Sequence, residues 1–190
     1  FAPNNVKELI ALAKTQPGKI TYASTGNGSP AHLGGALMEL MAGIKLSHVP
    51  YKGAAQATAA VMAGAVQAAF LTPASVLSQV KAGKVRAIGV TRLTPVSTFE
   101  GVPPEAQTLP GFEYSGYVGL YAPAGTPKDI TAAIQRDVTR VFAMPELQER
   151  LAAAGFEPPN TTPDQFGARF QRDIANFIQV VREAKIPQQE

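Results

Sequence analysis

Apolar positions in the first half of the chain fall into short blocks that switch between helical spacing and continuous runs. Val6, Leu9, Ile10 and Ala13 share one helix face, which Pro17 and Gly18 bring to an end. Ile20-Thr21-Tyr22-Ala23 then reads as a strand over 20–23. Helix 30–42, strand 46–49, helix 54–63, strand 66–71, helix 74–82 and strand 85–91 are predicted to follow, with short turns between them. Gly43, Gly64 and Gly83 stand just past three of these helix ends, where a left-handed cap is favoured. Such alternation predicts a parallel sheet with right-handed crossovers.

The pattern breaks over 92–112, where Pro95, Pro103, Pro104 and Pro110 interrupt any element. Phe112 to Ala122 is predicted as an aromatic, Gly-rich strand. A helix follows with Thr126 as N-cap, Pro127 in its first turn and a stripe of Ile130, Ile134, Val138, Val141 and Phe142 expected to be buried. A shorter helix runs from Pro145 to about Ala154, and 155–158 forms a brief extended link. Thr162 and Pro163 open the last helix, striped by Phe166, Phe170, Ile174, Phe177, Ile178 and Val181. Residues 1–111 are expected to form one lobe and 112–190 part of another. Three striped helices with one strand cannot complete an α/β lobe, so a further segment or chain is expected to cover them.

Composition narrows the class. The apolar share of 45% is that of a folded globular chain. No apolar run is long enough to span a bilayer. A net charge of +3 with scattered Lys and Arg favours small anions and lacks the basic, aromatic-studded stripe of a nucleic-acid binder. The absence of cysteine excludes disulfides and thiolate metal sites. The chain opens on Phe1 rather than Met, so an upstream part is expected.

Candidate chemistry gathers between Ile20 and Gly53. Ser24-Thr25-Gly26-Asn27-Gly28-Ser29 leads into a helix with Ser29 as N-cap and Pro30 at its first position. Pro50-Tyr51-Lys52-Gly53 leads into another. In a parallel sheet both turns lie at carboxyl ends of neighbouring strands, where free amides and helix dipoles favour a carboxylate or phosphate.

The segments Val6 to Lys14, Pro17-Gly18-Lys19, Tyr22 to Leu33, His48 to Gly53, Lys81 to Ala87, Leu120 to Pro127 and Arg150 to Gly155 keep an order and spacing that resembles the solute-binding receptors of tripartite tricarboxylate transporters, the Bug family. The resemblance covers nearly the whole chain. It implies a two-lobed α/β architecture of the periplasmic-binding-protein type (type II), with one lobe near complete and the other partial. It implies a periplasmic protein, not an enzyme and needing no cofactor, that closes over a small organic carboxylate and delivers it to a membrane permease. Carried onto this chain, the carboxylate-holding role falls on Ser24, Thr25, Gly26, Asn27, Gly28, Ser29, Tyr51, Lys52 and Gly53. In family members a strand and Gly-rich loop upstream of the matching region form the opposing jaw. Many members also carry an Asp just after the position of Phe70; here Leu71 stands there, followed by Thr72, which joins the candidate set. That substitution favours a simpler or more apolar acid over an amino acid.

Other functions compete for the same residues. Gly26-x-Gly28-x-x-Ala31 fits a dinucleotide turn, so a nucleotide-dependent α/β enzyme is the alternative. The acidic residue such a site needs at the end of the next strand is replaced by Pro50-Tyr51-Lys52. A tight turn without ligand, in a domain that only makes protein contacts, is the third reading. His32 serves either within its helix turn or towards the ligand, and His48 is assigned to packing or hydrogen bonding. No His or carboxylate accompanies either at metal-ligand spacing. Lys52 either adds a charge to the anion site or points to solvent, and Tyr22, Tyr51, Tyr117 and Tyr121 divide between cleft wall and core. No base can be placed near Ser24 from sequence, and no catalytic set is evident.

Overall fold

The computed structural model describes residues 1–156 and 161–187. Strands β1 (Thr21–Ser24), β2 (Ser47–Pro50) and β3 (Ala68–Ala69) form a parallel sheet in the order β2-β1-β3. In register, Tyr22 of β1 stands beside His48 of β2 and Ala68 of β3. Helices α1 (Val6–Thr15), α2 (Pro30–Ala42), α3 (Ala54–Met62) and α4 (Pro73–Lys81) alternate with the strands. The predicted alternation is therefore present as far as Lys81.

Local chemistry sets these boundaries. Ser29 Oγ accepts from His32 N at 3.3 Å, Pro30 fills the first position of α2, and Gly43 ends it with φ 60°. The pleat turns Tyr22 towards α2 and Ala23 towards α3, where Ala23 packs with Ala57, Ala60 and Val66. Gly34 and Gly35 make room on α2. A Cβ on Gly35 would lie 2.7 Å from Tyr22 Oη and overlap the ring itself. The main core joins Val6, Leu9, Ile10 and Ala13 of α1 to Met38 of α2 and to Leu109 and Phe112.

The predicted strands thin out away from β1. The strand expected over 66–71 is reduced to Ala68–Ala69, in register with Tyr22 and Ala23, with Gln67 N donating to Thr21 O at 3.2 Å just before it. The strand expected over 85–91 does not form; Val90 alone makes a bridge, parallel to Pro104. Phe112 to Ala122 forms no regular element and joins no sheet among the described residues. A strand needs a run of ladder bonds, and these segments have isolated ones: Val90 N donates to Pro103 O at 3.0 Å, Glu105 N to Val90 O at 2.8 Å and Tyr114 N to Thr91 O at 2.8 Å. The 92–112 connection carries two short 3-10 turns, Ser97–Phe99 and Glu105–Gln107. Glu105 is 6% exposed, and its Oε2 has no hydrogen-bond partner among the described residues.

Helices α5 (Lys128–Phe142), α6 (Pro145–Ala153) and α7 (Pro163–Glu183) complete the chain. α5 starts one residue later than expected: Pro127 is its N-cap, and the Thr126 hydroxyl turns back to Pro123 O at 2.8 Å. Thr162 and Gln165 form a reciprocal capping box on α7. The stripes expected to be core are largely bare: Ile130, Ile134 and Val141 of α5 and Ile174 and Ile178 of α7 are exposed. α7 does pack across α2, and its Phe166 and Phe170 carry the rings of Tyr117 and Tyr121. Of the link at 155–158, positions 157 and 158 lie outside the described residues.

Candidate functional site

Because the three strands are parallel, the turns that follow them emerge along one edge of the sheet. The central turn, 25–29 after β1, is flanked by 51–53 after β2 and 70–72 after β3. Tyr51 N donates to Ser24 O at 3.1 Å, which ties the first two turns together. The starts of α2, α3 and α4 thus collect on one edge, and the positive ends of three helix dipoles come with them.

Much of the turn chemistry is internal. Ser24 is fully buried; its Oγ accepts from Gly26 N at 3.1 Å, and lies 3.0 Å from Gly26 O and 2.6 Å from His48 Nε2. Gly28 N donates to His32 Nδ1 at 3.1 Å, and Ser29 N donates to Gly26 O at 3.2 Å. Lys52 N donates to Gln56 Oε1 at 3.1 Å. Thr72 Oγ1 donates to Ser75 Oγ at 3.2 Å. Among the described residues, the amides of Thr25, Asn27 and Gly53 have no partner. Asn27 and Lys52 are exposed, while Thr25, Tyr51 and Gly53 are half-buried. An anion arriving here would meet these unspent amides and the Lys52 side chain, whereas the Ser24 hydroxyl is already committed to the turn.

Gly26 (φ 134°) and Gly53 (φ 144°) hold backbone shapes that a side chain would strain, and they set the direction of the two turns. Tyr22 is 1% exposed and is core, not cleft wall. Tyr117 and Tyr121 pack on α7. Two concavities of the described residues lie elsewhere. One, about 500 Å³, is at Thr15–Lys19 beyond the opposite end of β1. The other, about 480 Å³, is a groove between α2 and α7.

A pair of histidines supports the central turn, and linear spacing alone gives no hint of it. The His32 and His48 rings stack with centroids 3.8 Å apart and planes 5° from parallel. The parallel register holds the missing signal: Tyr22, Ser24 and His48 share the sheet face that α2 covers, and His32 lies in the first turn of α2. Burial and the neighbouring His32 ring pull the His48 pKa down to about 4, and burial lowers that of His32. Both rings are therefore neutral near pH 7. His48 is a base beside Ser24, but no acidic group orients it and the hydroxyl is shut from solvent, so the pair fastens the turn. No group of three or more His, Cys, Asp or Glu that could hold a metal occurs among the described residues. No helix there is long and apolar enough to cross a membrane.

Parallel α/β units that gather helix starts at one strand edge form a recognisable architectural class. Within it, the chain belongs to the tripartite tricarboxylate transporter family receptors (TctC), whose family model matches residues 1–186. A protein from the clcB-clcD intergenic region of Pseudomonas knackmussii is 34% identical over 82% of this chain and 94% of its own length. Protein BugT of Bordetella pertussis is 30% identical over 95% of this chain and 56% of its own length. Among solved structures, R. palustris Rpa4515 with adipate matches 98% of this chain and 62% of its own, with TM-score 0.85 and 26% identity. The fold is thus that of solved family members, and the Bug resemblance holds. The chain spans 53–56% of the length of several of its curated relatives.

Proposed function

We propose that this chain is the anion-holding part of an extracytoplasmic receptor that captures a small organic carboxylate for a tripartite tricarboxylate-type permease. The observation that carries this reading is the unspent amides of Thr25, Asn27 and Gly53 where three helix starts converge. A carboxylate there would receive charge-assisted hydrogen bonds, with Lys52 adding a positive charge at the rim. The adipate named with the R. palustris relative supports a small dicarboxylate as ligand class.

Capture would be completed by closure of a second lobe, to which 112–190 contributes, hinged near Phe112 to Ala122. Closure removes water and so strengthens each bond to the anion. It also supplies the difference in affinity between open and closed states that coupling to a permease needs. The setting is the periplasm, as for the family.

The nucleotide alternative loses ground on the same geometry. Gly26 N and Gly28 N, the donors a pyrophosphate would want, are bonded to Ser24 Oγ and His32 Nδ1. Calorimetric titration with adipate, aromatic acids and nucleotides decides the matter: carboxylate binding without nucleotide binding is expected, and the reverse overturns the proposal. Gly28→Val is the matching variant. Gly28 has open space around it but a φ of +67°, so valine meets backbone strain of about 1–3 kcal/mol rather than a clash. The turn should shift and carboxylate binding be lost while the fold persists.

A further inference from the structure

We infer that His32 and His48 are positioning residues for the 24–29 turn, holding it ready for the carboxylate only while both rings are uncharged, so that acid releases the ligand. This rests on the site proposed above and adds its regulation.

Three contacts carry it. A backbone N–H can only donate, so His32 Nδ1, at 3.1 Å from Gly28 N, must be the unprotonated nitrogen of a neutral ring. Protonation at Nδ1 removes that acceptor outright and turns one donor against another. His48 Nε2 meets Ser24 Oγ at 2.6 Å, and Ser24 in turn binds Gly26 N. The two rings stack at 3.8 Å, so His32, which holds Gly28, lies against His48, which reaches Gly26 only through Ser24 Oγ. Charging both would set two cations face to face at that separation.

The surroundings offer those charges no compensation. From β1, Tyr22 faces His48 at 5.1 Å, and burial pushes its phenol far above the ordinary range, so it stays neutral. Besides His32, α2 carries only Glu39, whose carboxylate accepts from Leu46 N at 2.7 Å and interacts with Lys45. α3 carries no ionisable side chain. Acid is therefore relieved by the rings parting, which lets go of Gly28 N and Ser24 Oγ. The Thr25 and Asn27 amides between those anchors then lose their fixed direction.

The test has two arms on the full 190-residue chain. In the first, NMR follows the ring nitrogens and the Gly26 and Gly28 amides from pH 7.5 to 4. His32 should be the Nε2–H tautomer at neutral pH, and the Gly28 amide should titrate in step with it. An Nδ1–H tautomer, or a Gly28 amide indifferent to the ring, overturns the inference. In the second, adipate affinity is measured by calorimetry for wild type, His32→Asn and His32→Leu at several pH values. The ratio of wild-type to variant affinity cancels the protonation of adipate itself. Asn offers an oxygen that can accept from Gly28 N at any pH, so H32N should bind more weakly than wild type at pH 7 but overtake it by tenfold or more near pH 4. H32L should be at least tenfold weaker than wild type at pH 7. A wild-type to H32N ratio that does not change with pH, or H32L binding like wild type, refutes the positioning role. If wild type takes no carboxylate at pH 7, the receptor proposal fails, while the first arm still judges the grip on the turn.

Discussion

Glu105→Gln should abolish a pH dependence of stability that burial of one carboxyl builds into the fold. Glu105 is 6% exposed, its stem lies against Gly89, and its Oε2 has no partner among the described residues. Burial alone pushes its pKa up from an ordinary 4.5 to about 7. A raised folded-state value means the stability contribution is complete below pH 4.5 and is lost as pH rises through about 7. Each pKa unit is worth about 1.4 kcal/mol, so the loss amounts to about 3 kcal/mol once folded and unfolded chains are both ionised. His32 and His48, with lowered values, act in the opposite sense: their contribution grows as pH rises towards 6.5. The wild-type curve is thus a partial cancellation, and only the difference from the variant isolates Glu105. Urea unfolding of both proteins at pH 5, 6, 7 and 8 measures it. Glutamine keeps the volume and carries no charge, so its advantage over wild type should grow by about 2–3 kcal/mol between pH 5 and pH 8. A constant offset from the new amide cancels in that comparison. A change below about 0.5 kcal/mol, or one of opposite sign, would mean that the carboxylate finds compensation and that its burial does not set its titration.

Other substitutions test the frame around the site. Gly35→Ala would gain about 1 kcal/mol of helix propensity, yet its methyl would overlap the Tyr22 ring. Overpacking costs about 1–3 kcal/mol, so thermal unfolding should show a net loss, and a more stable variant would mean the ring moves aside freely. Thr162→Ala removes the capping box of α7 and should cost about 1 kcal/mol in urea unfolding; no change would mean the N-terminal turn of α7 frays in wild type as well.

What could be read from the sequence, and what could not, divides on how local the cause is. α2 was fixed to the residue because Ser29, Pro30 and Gly43 are neighbours of the turns they control, and the caps act within a few bonds. The placement of turns 25–29 and 51–53 on one edge followed from alternation alone, since a parallel sheet puts them there whatever the register. Which amides remain available was not legible. That depends on Ser24, His32, His48 and Gln56 turning inward, and the last three reach back from α2, β2 and α3. The His32–His48 stack joins residues sixteen positions apart and is visible only once Tyr22 is set beside His48. The strands over 85–91 and 112–122 failed for a related reason. Their residues favour extension, but a ladder needs a second backbone alongside for its whole length, and only single bonds such as Tyr114 N to Thr91 O form. Val118, 90% exposed, and Leu120, 73% exposed, alternate with Tyr117 and Tyr121, whose rings touch Phe166 and Phe170 of α7 but stay exposed. The tyrosine side of this segment thus touches α7 while Val118 and Leu120 stand bare, as on a strand without a ladder. The bare Ile130, Ile134 and Val141 on α5 show the same want from the helix side. Apolar periodicity reports what a face is built to touch, and it reports this equally well when the partner surface is absent from these residues.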